Sequence, residues 1–318
     1  MLTRLLGCLV AALCAGPALA ADYPTRSVHW IVPYPPAGTT DILARLVGQY
    51  LSEHLGQQFV IDNRPGGGNN IGTEMVARAT PDGYTVLLLN PANGINQTLY
   101  KNLKFDILRD IVPVAGIIRV PNVMELTPNF PAKSVSEFIA YGKEHPGKIN
   151  MASSGIGTSV HMSGELFMSM TGIKMAHVPY RGAGPALTDL MAGTVDVIFD
   201  NMPSSIGFIN DGRLRPLAVT TDKRSAALPA VPTVAETVPG YEASAWFGMG
   251  APAGTPPDVI ATLNKAVNEA LKDPKMVARL AELGGAPMIG TPAEFGKVMV
   301  DEVAKWKKVV EFSGVTVE

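Results

Sequence analysis

Cysteine is the first absence. The chain has only Cys8 and Cys14, both within the first 20 residues, "MLTRLLGCLVAALCAGPALA". That stretch carries one early charge, Arg4, then an apolar core over residues 5–15, then Ala18-Leu19-Ala20, an A-x-A cleavage pattern. It reads as a secretory signal peptide and is too short for a transmembrane helix. Neither cysteine suits a lipoprotein site: too little apolar sequence precedes Cys8, and Cys14 follows Leu13, where a small residue is wanted. The mature chain, from near Ala21, is expected to be free of cysteine. That excludes disulfides and a cysteine nucleophile. A core of this size needs no staples.

Other absences narrow the function. After the signal, no apolar run approaches the ~18 residues of a membrane span. Setting Arg4 aside leaves 25 Lys+Arg against 28 Asp+Glu, a net of −3. With no basic patch, neither nucleic acid nor an anionic membrane surface is an expected partner. There is no G-x-S-x-G elbow, H-E-x-x-H pair or Walker lysine. His29, His54, His145, His161 and His177 stand singly. Asp196 and Asp200 have no His/Cys/Glu cluster beside them, so no metal site is expected. The expectation is a non-enzymatic, cofactor-free protein of the periplasm, in a bacterium with two membranes. A secreted hydrolase would need a nucleophile–base pair that the sequence does not display.

What is present is alternation. Residues 28–33 read as a strand and 40–55 as a helix, with Ile42, Leu43, Leu46, Val47, Tyr50, Leu51 and Leu55 on one side. "QQFVIDNR", "NNIGTEMVARA" and "YTVLLLN" continue as strand, helix and strand. This β-α-β-α-β order predicts a parallel sheet with helices on both faces. "DIVPVAGIIRVPNVMELT" reads as extended and interrupted by Pro113 and Pro121. A second α/β unit follows from "SVSEFIAYGKEHP" to "LRPLAVTT". "LPAVPTVAETVPGYEASAWFGMGAPAGTPP" (228–257) reads as loop-rich, and the tail as helices over 257–272, 274–284 and 292–313 without strands. Such a tail needs a sheet to pack on, and the first unit offers one. The expected organisation is a signal peptide (1–20), one lobe from 21–120 and 236–318, and a second lobe over 121–235, joined by two hinge crossings around a cleft.

The candidate site lies in loops at strand ends. In an open parallel sheet, ligands sit outside the carboxyl ends of strands. "YPPAGTTD" supplies Tyr34, Ala37, Gly38, Thr39, Thr40 and Asp41. Unpaired N–H groups and the positive end of a helix dipole favour an anion there without a cationic side chain. Asp41 is awkward beside an anion. It either caps backbone donors or accepts a donor from the ligand. "SSGIGTSVH" repeats the pattern in the second unit with Ser153, Ser154, Gly157, Thr158 and Ser159, with His161 as either a ligand contact or a polar residue of the first helical turn. "VPYRGAGPALTDL" brings Tyr180 and Arg181 to a strand end; Arg181 suits a carboxylate, or a surface salt bridge. Asp200 and Asn201 end a buried strand, and Asn90 ends "YTVLLLN". "NRPGGGNNIG" misses the dinucleotide spacing, because Ile71 stands where the third glycine belongs; it reads as a turn capped from Asn69 or Asn70.

Several of these segments together resemble the substrate-binding receptors of tripartite tricarboxylate transporters, the Bug or TctC family. They are "YPTRSVHWIVPYPPAGTTDILAR", "VIDNRPGGGNNIGTEMVARATPDGYTVLL", "SSGIGTSVHMSGELF", "VPYRGAGPALTDLMAGTVDVIFDNMPSS", "GRLRPLAVTT", "LPAVPTVAET" and "WFGMGAPAGTP". They cover nearly the whole mature chain in the family's order. The resemblance implies an α/β type II periplasmic-binding-protein fold whose two lobes close on a small organic acid. It implies capture by loop amides, hydroxyls and ordered waters, and delivery to integral membrane permease subunits. The family's first loop often reads P-x-G-G; here Ala37 takes the place of the first glycine, a departure where the backbone approaches most closely. The expected protein is a monomeric solute receptor. The alternative is a sensory protein of the same fold that signals to a sensor kinase.

Overall fold

The computed structural model describes residues 23–317, so the expected signal peptide lies outside the described residues. The first unit runs β1 (Val28–Val32), α1 (Thr39–Leu55), β2 (Phe59–Asn63), α2 (Asn70–Ala77), β3 (Thr85–Leu89), α3 (Pro91–Leu99) and the one-turn α4 (Ile107–Asp110). A long strand follows, β4 (Ile111–Leu126). The second unit is α5 (Val135–Glu144), β5 (Ile149–Ser153), α6 (Ser159–Thr171), β6 (Met175–Pro179), α7 (Ala183–Ala192), β7 (Val197–Asn201), α8 (Met202–Asn210) and β8 (Arg215–Val219). The chain ends with β9 (Ser244–Pro252), α9 (Pro257–Ala270), α10 (Pro274–Glu282), β10 (Ala286–Pro287) and α11 (Pro292–Ser313).

The strands join in the order β2-β1-β3-β9-β4-β7-β5-β6, with β8 and β10 also on β4. Pairing is parallel at both ends of this path and antiparallel in the middle, where β9 and β4 run. The two α/β lobes thus share one continuous curled sheet. Trp30, Leu43, Val47 and Leu51 fill the first core, and Phe138, Phe167 and Phe199 the second.

Several stretches differ from the sequence reading: α3 is absent from it, and the tail expected to have no strands contributes β10, which pairs with β4. Pro113 and Pro121 do not interrupt the link between units. Both are absorbed within β4, Pro113 at a register shift, where a missing N–H disturbs the ladder least. The "loop-rich" stretch contains β9, which is buried at every position. Its glycines hide it from a pattern search, yet packing requires them. A Cβ on Gly248 would stand 2.1 Å from Phe295 Cζ, and one on Gly250 2.7 Å from Leu89 Cδ1.

The crossings are tied by polar groups. Asn122 N–H donates to Thr220 Oγ1 (2.8 Å), and the Thr220 hydroxyl donates to the Ala243 carbonyl (2.6 Å), just before β9. Helix α9 packs on α1 and β4, and α11 on α3, β4 and α6. Trp306 of α11 goes further and joins the hydrophobic cluster of the second lobe.

Candidate functional site

Strand ends from both lobes face one cleft. Its inner part encloses about 420 Å³, some of it open to solvent. Tyr34, Gly38, Thr39, Thr40 and Asn90 line it from the first lobe; Ser154, Thr158, Ser159, Asn201 and Ala183 line it from the second. No lining side chain is charged. The polar character comes from hydroxyls, amides and two helix N-termini. Gly38 precedes α1 in extended backbone, and Thr158 caps α6 by accepting from His161 N–H (3.2 Å). Unpaired first-turn N–H groups and aligned peptide dipoles give both ends a positive field.

Asn90 adds a donor. Its Oδ1 accepts from Ala92 N–H (3.0 Å) and so caps α3. Its Nδ2 is buried and has no partner among the described residues. An unsatisfied buried donor costs about 1–3 kcal/mol, and an anionic oxygen in the cleft would remove that cost.

An outer chamber of about 1120 Å³ continues past Tyr34, Pro35, Ser154 and Gly182. Tyr180 and Arg181 line it. The Tyr180 hydroxyl donates to Asp189 Oδ2 (2.6 Å); burial and that carboxylate push it up to about 12. Arg181 is exposed and forms no salt bridge among the described residues. Gly66, Gly67 and Gly68 form the opposite wall with Tyr100. The sequence reading gave that glycine run only a turn. Its place at the end of β2, beside β1 in the sheet, is the signal that could have found it. Asn69 and Asn70 make no side-chain cap there.

Six candidates stand behind the cleft rather than on its walls. Asp41 is turned away. Its carboxylate accepts from Ala37 N–H (3.1 Å), Asn63 Nδ2 (3.0 Å) and Arg45 Nε (3.0 Å). Burial alone would raise Asp41, but these donors outweigh it and hold the carboxyl below its usual value. Asp41 therefore caps the loop. Ala37 needs that support, since it adopts φ 71, a left-handed conformation.

Ser153, Gly157 and His161 brace the second loop. Ser153 Oγ contacts His177 Nε2 (2.7 Å) and accepts from Gly155 N–H (3.2 Å). The two histidine rings stack at 3.8 Å. His161 Nδ1 accepts from Gly157 N–H (3.3 Å), which leaves Nε2 to face Glu165 Oε1 at 3.3 Å. Burial, then His161, depress His177 to about 3, so it stays neutral. Asp200, the sixth, is fully buried beneath α8. Asn201 reaches the cleft, and its Nδ2 donates to Ser159 Oγ (3.1 Å) and Asn122 Oδ1 (2.6 Å). Ser159, expected as a donor, lines the inner cleft; Ala183 and Phe247 line it too, though they were not among the expected ligand contacts.

The lobes touch. Thr39 Oγ1 donates to Ser204 Oγ (3.2 Å). A Cβ on Gly182 would stand 3.2 Å from Pro35, and one on Gly157 2.6 Å from Asn96 Oδ1. This is a closed arrangement.

A family model described as "Tripartite tricarboxylate transporter family receptor" matches residues 43–315. Protein BugT of Bordetella pertussis is 39% identical over 303 residues, covering 94% of this chain and 93% of BugT. The solved structure of R. palustris Rpa4515 with adipate is 41% identical with a TM-score of 0.90, covering 92% of this chain and 99% of that one. MatC (Rpa3494) from Rhodopseudomonas palustris with bound malate is 31% identical with a TM-score of 0.86, covering 91% and 100%. The two-lobed fold is thus shared with relatives solved with adipate and malate bound, and this chain belongs to the tripartite tricarboxylate transporter receptor family.

Proposed function

We propose that the chain captures a small carboxylate in the inner cleft and delivers it, in the closed form, to membrane permease subunits. Its place of action is the periplasm, reached through the signal at residues 1–20, and it acts as a monomer. Residues 21–120 with 236–318 form one lobe in this reading, and 121–235 the other. The carboxylate lies between the N-termini of α1 and α6, against Asn90 Nδ2, Thr39, Thr40 and Thr158. Tyr34 and Tyr180 flank the body of the solute, and Arg181 meets a polar group at its far end.

The observation that carries this is the unpartnered Asn90 donor in a cleft wall without charged side chains. A buried donor persists where a bound group satisfies it. Closing the lobes excludes water and strengthens each hydrogen bond to the anion. Adipate and malate, bound by two relatives, are the natural first probes.

Mass spectrometry of co-purifying small molecules, followed by a thermal-shift panel of carboxylates, tests the reading. A family of acids that raises the melting temperature supports it. Gly38→Val should abolish that rise and leave the fold intact. Gly38 has φ −88, which any residue adopts, and its Cβ would meet Ala183 at an ordinary 4.0 Å. An unchanged shift in this variant would remove the first loop from the site.

A further inference from the structure

Two carboxyl groups lie inside the second lobe with no cation beside them. Glu125 on β4 and Asp200 on β7 are both 0% exposed. Val123 pairs with Asp200 and Glu125 with Ile198. The two acids are therefore diagonal neighbours on one face of the sheet, within reach of each other. Glu125 Oε1 and Oε2 and Asp200 Oδ1 have no well-formed hydrogen bond among the described residues; the Ser205 hydroxyl beside Glu125 and the Asn201 backbone beside Asp200 are the weak donors near them.

The surroundings supply no countercharge. Helix α8, which covers the pair, has no ionisable residue. On α7, Asp189 is taken by Tyr180. On α1, Asp41 and Arg45 pair with each other. Arg215 of β8 donates to the Phe130 carbonyl. Helix α6 meets the opposite face of β4, through Asn122 and Ser163, and its His161 and Glu165 face each other. Two acids in such a place do not both ionise; one holds a proton.

The pair is wired to the cleft. The Ser204 hydroxyl donates to Asp200 Oδ2, and Ser204 Oγ accepts from Thr39 Oγ1 of the other lobe at 3.2 Å. Opening would withdraw Thr39 and let water reach Ser204 and the end of β7.

We propose that Asp200 is a positioning residue for lobe closure: with Glu125 it holds a proton in the closed form and releases it as the lobes part. This rests on the reading of the cleft as one that closes on a solute. Burial pushes Asp200 up to about 7. Burial, then the Asp200 charge, push Glu125 well above the carboxylate range. Hydration on opening returns Asp200 toward its ordinary value. A group raised in the closed form favours closure at low pH, and that contribution is lost as pH rises through about 7. A solute carboxylate, ionised above about pH 5, adds no slope in this window.

The cysteine-free mature chain permits a direct test. Glu53→Cys and Lys143→Cys place one dye on each lobe, and the inter-lobe distance is followed without solute from about pH 5.5 to 8.5. The closed fraction should rise as pH falls, by up to about tenfold for each unit that Asp200 shifts. Asp200→Asn should flatten the profile, whereas Glu125→Gln, which mimics the neutral acid, should keep it. Infrared spectra of the unmutated chain should show a protonated-carboxyl band whose Asp200 share, missing in Asp200→Asn, fades toward pH 8.5 while the Glu125 share persists. A flat wild-type profile, a slope that survives Asp200→Asn, or no such band overturns the proposal. Loss of carboxylate binding with the pH profile intact would sink the functional reading and leave this one standing.

Discussion

Ala37 and Asp41 illustrate how single residues shape the cleft without touching a solute. An L side chain in the left-handed region costs about 1–2 kcal/mol. Ala37 bears that cost at φ 71, and Asp41 holds its N–H at 3.1 Å. Glycine would relieve the strain but lose more freedom on folding. The net prediction for Ala37→Gly is a gain of about 0.5–1 kcal/mol in urea unfolding. Asp41→Asn should cost about 1–2 kcal/mol at neutral pH, since hydrogen bonds to a charged acceptor are the stronger kind. The sign with pH follows from the lowered Asp41 value. Its stabilisation is present above the unfolded carboxylate value, near pH 4, and is lost as pH falls through the lower folded one. The gap between wild type and Asp41→Asn should therefore narrow below about pH 4 in unfolding curves.

At the scale of elements, the sequence was informative where local chemistry and tertiary role agree. Strand, small-residue loop and helix appear twice, at β1–α1 and β5–α6, and both loops reach the cleft. β9 disagrees with its local chemistry. Gly248 and Gly250 lower its strand propensity, but Phe295 and Leu89 fill the space their side chains would take. Contacts from distant segments create that strand, so a local pattern misses it. α3 was missed as well, although Asn90, Pro91 and Asn93 form a clear start: an N-cap, a proline at the first position and a reciprocal cap. Ser153 and Asp200 had the right types at the right strand ends, and His161 in the helix turn that follows one. Which way each side chain turns depends on partners such as His177, Glu165 and Ser204, and spacing alone cannot supply those.

At the scale of the whole molecule, glycines mark where the lobes meet. Gly38, Gly157 and Gly182 each face a residue of the opposite lobe. Gly157→Ala would bring a Cβ to 2.6 Å from Asn96 Oδ1 and 2.8 Å from Leu99 Cδ2, at φ +78. The clash lies across the cleft, and parting the lobes relieves it. The variant should therefore populate an open form, seen in solution scattering as a larger radius of gyration and as weaker solute binding. An unchanged radius would mean that the contact does not set closure.

The central claim is that an uncharged cleft captures an anion through oriented donors, Asn90 Nδ2 foremost. Calorimetric titration of residues 21–318 with adipate, its uncharged diamide and malate tests it most directly, in wild type and in Asn90→Asp. That substitution keeps the oxygen that caps α3 and replaces the free donor with a carboxylate oxygen. At least one acid should bind wild type while the diamide does not, and Asn90→Asp should lose about 100-fold or more in affinity, some 3 kcal/mol, with its melting temperature kept. Equal binding of acid and diamide, or full affinity in Asn90→Asp, would contradict the account.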